Sequence, residues 1–433
     1  MLFYARRIRV LCFHAERTDP YSKLHRNLLM TFIATINRLG AFSRLRKLLI
    51  HDENFNGQVS TSLFPISAPN LETIQLFAWT GSNETMTSAF LRTIVYETEN
   101  LTTFDLKGIF SGNIFNVLPS FHRLQQLIID VDDSIIPMSF LKRIASAMTS
   151  LQSLKMYLRS CRFSNDLQDT TNDRPTYPNT PFTFRSLTHL DLRGDVKNIL
   201  DVLHAPCLES LSLVPYRTGG STDNSEFPVF IRRFNEINSR HAKDRLKDSF
   251  LLFKTSTPID FAFHLSSFVS YDQLQSLSIE TTRLAIPTSA LSNFLSINGH
   301  WSNLQHLRLD YEKATDAKSL SIAALSLLAH FCPELSKLEI AIYHPDQKIQ
   351  TELTRKPHNL HTLVFLNLPT CWNYSVPFAV NFADFLDQLF PRLASAELAP
   401  FSYIRQAAPE SRRDWWEGVR ATLKLCQRFR GII

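Results

Sequence analysis

Glycine is scarce in this sequence, at 11 of 433 residues. Folds that cradle a phosphate need glycine where the backbone approaches the anion, and no GxGxxG or Walker A sequence occurs. GxSxG is missing as well, and none of the 14 histidines belongs to an HExxH pair. The six cysteines, at 12, 161, 207, 332, 371 and 426, stand far apart without a CxxC pair. Zinc needs clustered ligands and small secreted domains need dense disulfides, so reduced thiols in a cytoplasmic or nuclear protein are expected. Nothing approaches the ~20 apolar residues that span a bilayer. Arg6, Arg7 and Arg9 interrupt the opening "MLFYARRIRVLCF", which lacks the unbroken apolar stretch of a signal peptide. Without that signal the sequons at Asn83 and Asn100 are read as accidental. These absences lead to no expected cofactor, metal or membrane contact, and to no expected enzyme activity.

Charge of one sign is lacking too. Lysine and arginine number 46 against 40 acidic residues, a net +6 spread over a large surface. That excess does not call for a polyanion, and nucleic acid is the disfavoured partner. The most basic stretch holds Arg232, Arg233, Arg240, Lys243, Arg245 and Lys247, but Glu236, Asp244 and Asp248 are mixed into it. A solvated helix is the expectation there.

What the chain does hold is apolar material, 44% of residues with 33 phenylalanines, and a repeated way of placing it. The hexad L-x-x-L-x-L, with Ile, Phe or Met allowed, begins at Ile8, Leu45, Leu71, Leu101, Leu124, Leu151, Leu187, Leu208, Leu274, Leu304, Leu335, Leu360 and, in degenerate form with Ala396, Leu393. Its fourth and sixth positions alternate with polar residues, which is strand periodicity. Most intervals run from about 20 to 40 residues, the spacing of leucine-rich repeats or somewhat longer.

Segments with helical spacing lie between the hexads. Phe90, Leu91, Ile94 and Val95 share one face, as do Phe140, Leu141, Ile144 and Met148, and Leu320, Ala323, Leu327 and Phe331. The unit is strand, loop, helix and a short turn, often with Pro or Asn. Neither element buries its apolar face alone, so neighbouring repeats must share a core. The expected fold is α/β: a leucine-rich-repeat solenoid, or horseshoe, with a parallel concave sheet and outer helices. The asparagine usual three residues after the triplet is absent, its slot holding Ile109 and Asp195, so irregular repeats are expected.

The solenoid is expected over residues 1–400, with loop insertions near 160–185 and 215–250. "SFLLFKT" from Ser249 reads as a buried strand, a degenerate repeat inside the second insertion. Residues 401–433 are expected to form a C-terminal capping helix. Trp415, Val419, Leu423 and Cys426 make one apolar face flanked by Trp416, with Arg412, Arg413, Arg420, Lys424 and Arg428 largely opposite.

The opening "FYARRIRVLCF", the irregular triplets and the closing "RDWWEGVRATLKLCQRF" resemble the leucine-rich-repeat region of F-box proteins expanded in mushroom-forming fungi. The resemblance implies a substrate receptor acting in ubiquitin-dependent protein turnover. The F-box, which opens with a Leu-Pro signature, is not expected in this chain, because Met1 falls directly on the strand that would follow it. A ubiquitin-ligase adaptor is therefore an implied partner only if an F-box lies upstream. The other readings are a stand-alone leucine-rich-repeat interaction protein and a nucleic-acid-binding solenoid.

Strand alternation nominates the site. The third, fifth and seventh positions of each hexad point away from the core, toward a face expected to bind a protein substrate. They include Gln75 and Phe77, Asp105 and Lys107, Lys155 and Tyr157, and His189, Asp191 and Arg193. Further along come Glu280, then His306, Arg308 and Asp310, then Lys337 and Glu339. Both signs of charge with a few aromatics suit protein recognition better than a polyanion. Asp130, Asp132 and Asp133 are read as a solvated strand end rather than a cation site.

Overall fold

The computed structural model describes residues 7–15, 42–52, 68–78, 84–110, 112–164, 181–194, 196–200, 202–215, 232, 234, 237, 244–253, 259–260, 271–282, 284–286, 288–298, 301–311, 319–343, 358–367, 375–398 and 410–430. Most of both expected insertions, and Arg233, Arg240 and Lys243 of the basic stretch, lie outside the described residues. The chain divides into two compact units, residues 1–208 with 213–221, and residues 209–212 with 222–433.

In the first unit, strands β1 (Val10–Ala15), β2 (Lys47–Asp52), β3 (Thr73–Ala78), β4 (Thr103–Gly108) and β5 (Gln126–Asp132) lie side by side in chain order. β6 (Ile135–Pro137) leaves this sheet, which continues with β7 (Ser153–Arg159) and, past β8 (Arg162–Ser164) and β9 (Phe182–Thr183), with β10 (His189–Gly194). Each pair is parallel. After β11 (Leu203–His204) comes β12 (Ser210–Pro215), whose residues are divided between the units. The second unit repeats the arrangement with β13 (Asp248–Phe253), β15 (Ser276–Thr281), β17 (His306–Tyr311), β18 (Lys337–Ala341), β19 (Thr362–Asn367) and β20 (Ser395–Leu398). β14 (Ile259–Asp260) and β16 (Leu284–Ala285) pair separately, as do β6 with β8 and β9 with β11.

Strands that are parallel and adjacent in chain order must each be joined by a crossover, and the hexad fixes how successive coils stack. Register aligns the fourth positions Leu48, Ile74, Phe104, Leu127, Leu154 and Leu190 across six strands. Ile50, Leu76, Leu106, Ile129, Met156 and Leu192 form the next column. All twelve are buried. Within each unit, one carbonyl per repeat, at the second hexad position, accepts two backbone N–H bonds from the next repeat. Arg46 O takes Glu72 and Thr73, Glu72 O takes Thr102 and Thr103, and Lys247 O takes Gln275 and Ser276. Shared cores and in-register columns make the fold a leucine-rich-repeat solenoid with irregular repeats.

The repeat concealed in the second insertion is β13. Its register with β15 puts Ser249 opposite Leu277 and Leu251 opposite Ile279, and Leu246 is buried as the entering leucine. Serine in a leucine slot is why no triplet shows there. The missing asparagine has a substitute at another place, just before the hexad. Asn70, Asn100 and Asn303 donate side-chain N–H bonds to the carbonyls of Ser43, Pro69 and Asp272 in the preceding turn. Arg123 and Ser186 make the same link to Glu99 and Thr149. His358 closes its turn differently: Nδ1 accepts from Leu360 N, so Nε2 is the atom that donates to Cys332 O, 2.8 Å away. Burial and this neutral tautomer agree, and the imidazole pKa is lowered.

The crossover helices keep their expected faces in two of three cases. Glu84–Glu97 buries Phe90, Leu91 and Ile94 and leaves Val95 half-buried, and Met138–Ala147 buries Phe140, Leu141 and Ile144, with Met148 capping it. The third differs. The helix Ala323–Phe331 buries Ala324, Leu325, Leu328 and Ala329, and leaves Ala323 exposed and Leu327 half-buried. "IAALSLLAHF" is apolar on nearly every side, so spacing alone could not choose its inward face.

Candidate protein-binding face

In the first unit the expected site residues share one face of the sheet, and the structure ties them together across strands. His51 stacks on Phe77 with ring centroids 4.2 Å apart, and Lys107 Nζ stands 5.8 Å from the centre of the same ring. Lys107 also pairs with Asp130 at 3.1 Å, and Arg159 approaches Asp130 from the other side at 3.7 Å. Gln75 donates to Asp105 at 3.4 Å. Tyr157 donates its hydroxyl proton to Asp191 at 2.9 Å, Arg193 pairs with Asp191 at 3.2 Å, and the Arg193 guanidinium lies 4.6 Å from the Tyr157 ring centre. Lys155 is half-buried beside them, and His189 is exposed with Nδ1 2.8 Å from Thr188 Oγ1.

Asp130 corrects an expectation. It is not a solvated strand end: only 8% of it is exposed, between two cations from neighbouring strands. Asp132 instead accepts from Asp133 N and so shapes the turn, where Asp133 has φ +42°. Burial shifts the neighbouring acids. Asp105 is pushed above the usual carboxylate range by burial, against the pull of Lys107 and with the repulsion of Asp130. Burial and the bond to Asp191 raise Tyr157 to about 12.

In the second unit the centre is Arg308. Its guanidinium meets Asp310 at 2.9 Å, Glu339 at 3.1 Å and Glu280 at 3.8 Å. Lys337 also pairs with Glu339, and His306 Nε2 lies 3.4 Å from it. Burial pushes Glu339 up, but Lys337, Arg308 and His306 together hold it below the usual value. Burial and Lys337 lower the His306 pKa, against the opposing pull of Glu339. Glu280 is raised by burial, with Arg308 opposing and Asp310 adding to the rise.

No protein-family model and no curated protein matches this sequence. Among solved structures, an internalin of Listeria monocytogenes is similar over 94% of this chain and 89% of its own, at 14% identity and a TM-score of 0.41. The yeast Rad7–Elc1 complex aligns over 77% of each chain at 14% identity and a TM-score of 0.37. The leucine-rich-repeat ectodomain of the Arabidopsis thaliana receptor kinase GASSHO1/SCHENGEN3, solved with Casparian strip integrity factor 2, aligns over 84% of this chain and 48% of its own. Its identity is 13% and its TM-score 0.32. The fold assignment rests on strand order and register.

Two groups of face residues were not among those expected. His51 is the seventh residue of the hexad beginning at Leu45, and reading that hexad across would have found it. Phe250 and Leu252 belong to the repeat that Ser249 conceals. Among the described residues, no cluster of three or more His, Cys, Asp or Glu is placed to hold a metal ion. Among them, too, no helix is long and apolar enough to cross a membrane.

Proposed function

We propose that this protein is a non-catalytic binding scaffold whose protein partner docks on the open face of the sheet. The observation that carries this reading is the Tyr157–Asp191–Arg193 group. Aromatic and arginine side chains there are fixed in advance by a hydrogen bond, an ion pair and a cation–π contact. Binding surfaces favour such residues, because ordering them beforehand lowers the entropy lost on association. Asp130 and Asp191 on this face are each engaged by a cation, Lys107 and Arg193.

The finer reading follows the resemblance to fungal F-box proteins: a substrate receptor relative in ubiquitin-dependent turnover, acting in the cytoplasm or nucleus. Co-purification of a ubiquitin-ligase adaptor with the native protein supports it, and a native complex without one favours the stand-alone scaffold. The docking surface is tested separately, with a photo-crosslinking amino acid at Tyr157 or at Tyr96, a helix residue that is 87% exposed. The expected result is one reproducible adduct from Tyr157 and none from Tyr96. The same adduct from both positions, or from Tyr96 alone, overturns the proposal.

A further inference from the structure

The open face of the second unit carries a charge opposite to that of the whole chain. Its third, fifth and seventh hexad positions hold Asp248, Glu280, Asp310, Glu339 and Glu397, five carboxylates, against two cations, Arg308 and Lys337. The chain as a whole is +6. Glu280 and Asp310 are directly opposite each other on adjacent strands, an arrangement of like charges that costs stability. Arg308 is the single guanidinium they share, and it also serves Glu339. Glu339 has Lys337 as well, whereas Glu280 and Asp310 have no second cation among the described residues.

A buried serine lies beside this pair. Leu277 and Ile279 point into the core, so Ser278 between them points to the open face, with Phe250 opposite on one strand and Arg308 on the other. Ser278 is 8% exposed, and its hydroxyl has no hydrogen-bond partner among the described residues. A buried hydroxyl without a partner is costly, and an arriving donor supplies what the chain does not. Phe250 and Leu252, both half-buried, give the apolar border, with Leu252 directly opposite Glu280.

We infer that this face docks a basic segment of a partner protein, seating a lysine or arginine side chain between Glu280 and Asp310. The inference rests on the reading of the open face as the binding surface and adds the chemistry of what it takes. The incoming cation relieves the cross-strand repulsion, its N–H groups reach Ser278 Oγ, and neighbouring apolar residues of the segment cover Phe250 and Leu252. A protein segment is favoured over a free polyamine because only it brings that apolar cover.

The test is the affinity of the full-length chain for two labelled probes, a random lysine–tyrosine copolymer and a random glutamate–tyrosine copolymer. Net charge alone favours the acidic probe, so preferred binding of the basic one is a local effect. Glu280→Gln with Asp310→Asn is expected to weaken the basic probe about tenfold or more. Removing two like charges should leave the melting temperature unchanged or raised, and Glu280→Lys gives a second variant, with an ion pair to Asp310 and the same loss. Asp272→Asn with Asp414→Asn, two exposed positions off the face, should change nothing despite the same change in charge. A preference for the acidic probe, or equal loss in the control, overturns the inference. If the acidic probe binds and Tyr157→Ala abolishes it, the open face stands as the binding surface and only the basic partner is lost. Binding that no face substitution alters counts against both.

Discussion

Arg430 reaches back to a carboxylate that is out of water: its Nη2 lies 2.7 Å from Asp387, whose side chain is 1% exposed. The contact ties the C-terminal helix Glu410–Phe429 to the helix Val376–Leu389. Burial raises the Asp387 pKa, Arg430 pulls it down, and Asp384 adds to the rise. Arg430 Nη1 also donates to the Asp387 carbonyl at 3.3 Å. Arg430→Ala leaves the charge buried with no counterion. Because Arg430 is 42% exposed, the expected loss is discounted to about 1–3 kcal/mol near neutral pH. The sign of the pH dependence follows from the raised pKa. The folded state holds the proton more tightly, so Asp387 favours folding most below its unfolded pKa, and that advantage fades as pH rises through the folded one. The variant's deficit in melting temperature should therefore shrink on acidification. A deficit that stays constant across that range would argue against Asp387 as its source.

We propose that the C-terminal helix caps the second unit. Trp415, Trp416, Val419 and Leu423 are buried, and Gln427 donates to the Leu393 carbonyl in the last hexad. Trp415 stacks against Phe378 and Phe382 at 5.9 and 5.8 Å, and Trp416 meets the edge of Phe365 at 5.4 Å. Two indoles and two aliphatic side chains amount to several kcal/mol, at about 25 cal/mol per Å² of apolar area. Deleting residues from 410 onward should lower both the melting temperature and the solubility, because the last repeat would expose its core. An unchanged calorimetric transition would make the helix a partner-binding tail instead.

The hexad leucines themselves are the most direct test of the columns. Leu190 is 2% exposed and Leu307 is fully buried. Leu190→Asp or Leu307→Asp puts a carboxylate where no cation can follow, at a cost of roughly several kcal/mol. Urea titration should show an early transition in either variant. The conservative Leu→Met at the same sites should cost less than about 1.5 kcal/mol.

Strand positions were legible in the sequence because each rung makes the same demand: two inward apolar residues separated by one outward. Where a rung met that demand in another way, as with Ser249, the pattern lapsed while the strand remained. The outward residues were legible for the same reason. What they do to one another was less so, since the Lys107–Asp130 pair joins different repeats and emerges only when the hexads are set in register. Asp387 had no signal of this kind. Its partner is fixed by two helices running in the same direction, with Phe378 against Trp415 at one end and Asp387 against Arg430 at the other. No periodicity within either helix specifies that alignment.

Gly194 ends β10 at φ +116°, a conformation that L side chains rarely adopt. The space around it is closed as well: a Cβ there would lie 2.1 Å from the carbonyl oxygen of Leu158, its register partner on β7. That oxygen belongs to the backbone and cannot swing aside as a flexible side chain would. Gly194→Ala must therefore either push β10 away from β7 or bend the strand end out of register, and both disturb the neighbouring Tyr157–Asp191–Arg193 group. Backbone strain alone is expected to cost about 1–3 kcal/mol, with the clash adding to it. Gly112 is the internal comparison, because it lies in the helix Gly112–Val117 and a Cβ there meets nothing within 4 Å. Alanine at Gly112 should be neutral or stabilising by roughly 0.5–1 kcal/mol. Thermal melts should show a lowered transition for the Gly194 variant and no lowering for the Gly112 variant, and the Gly194 variant should also lose whatever partner binding depends on Tyr157. If Gly194→Ala melts and binds like the parent, the tight approach of β10 to β7 at this point is wrong.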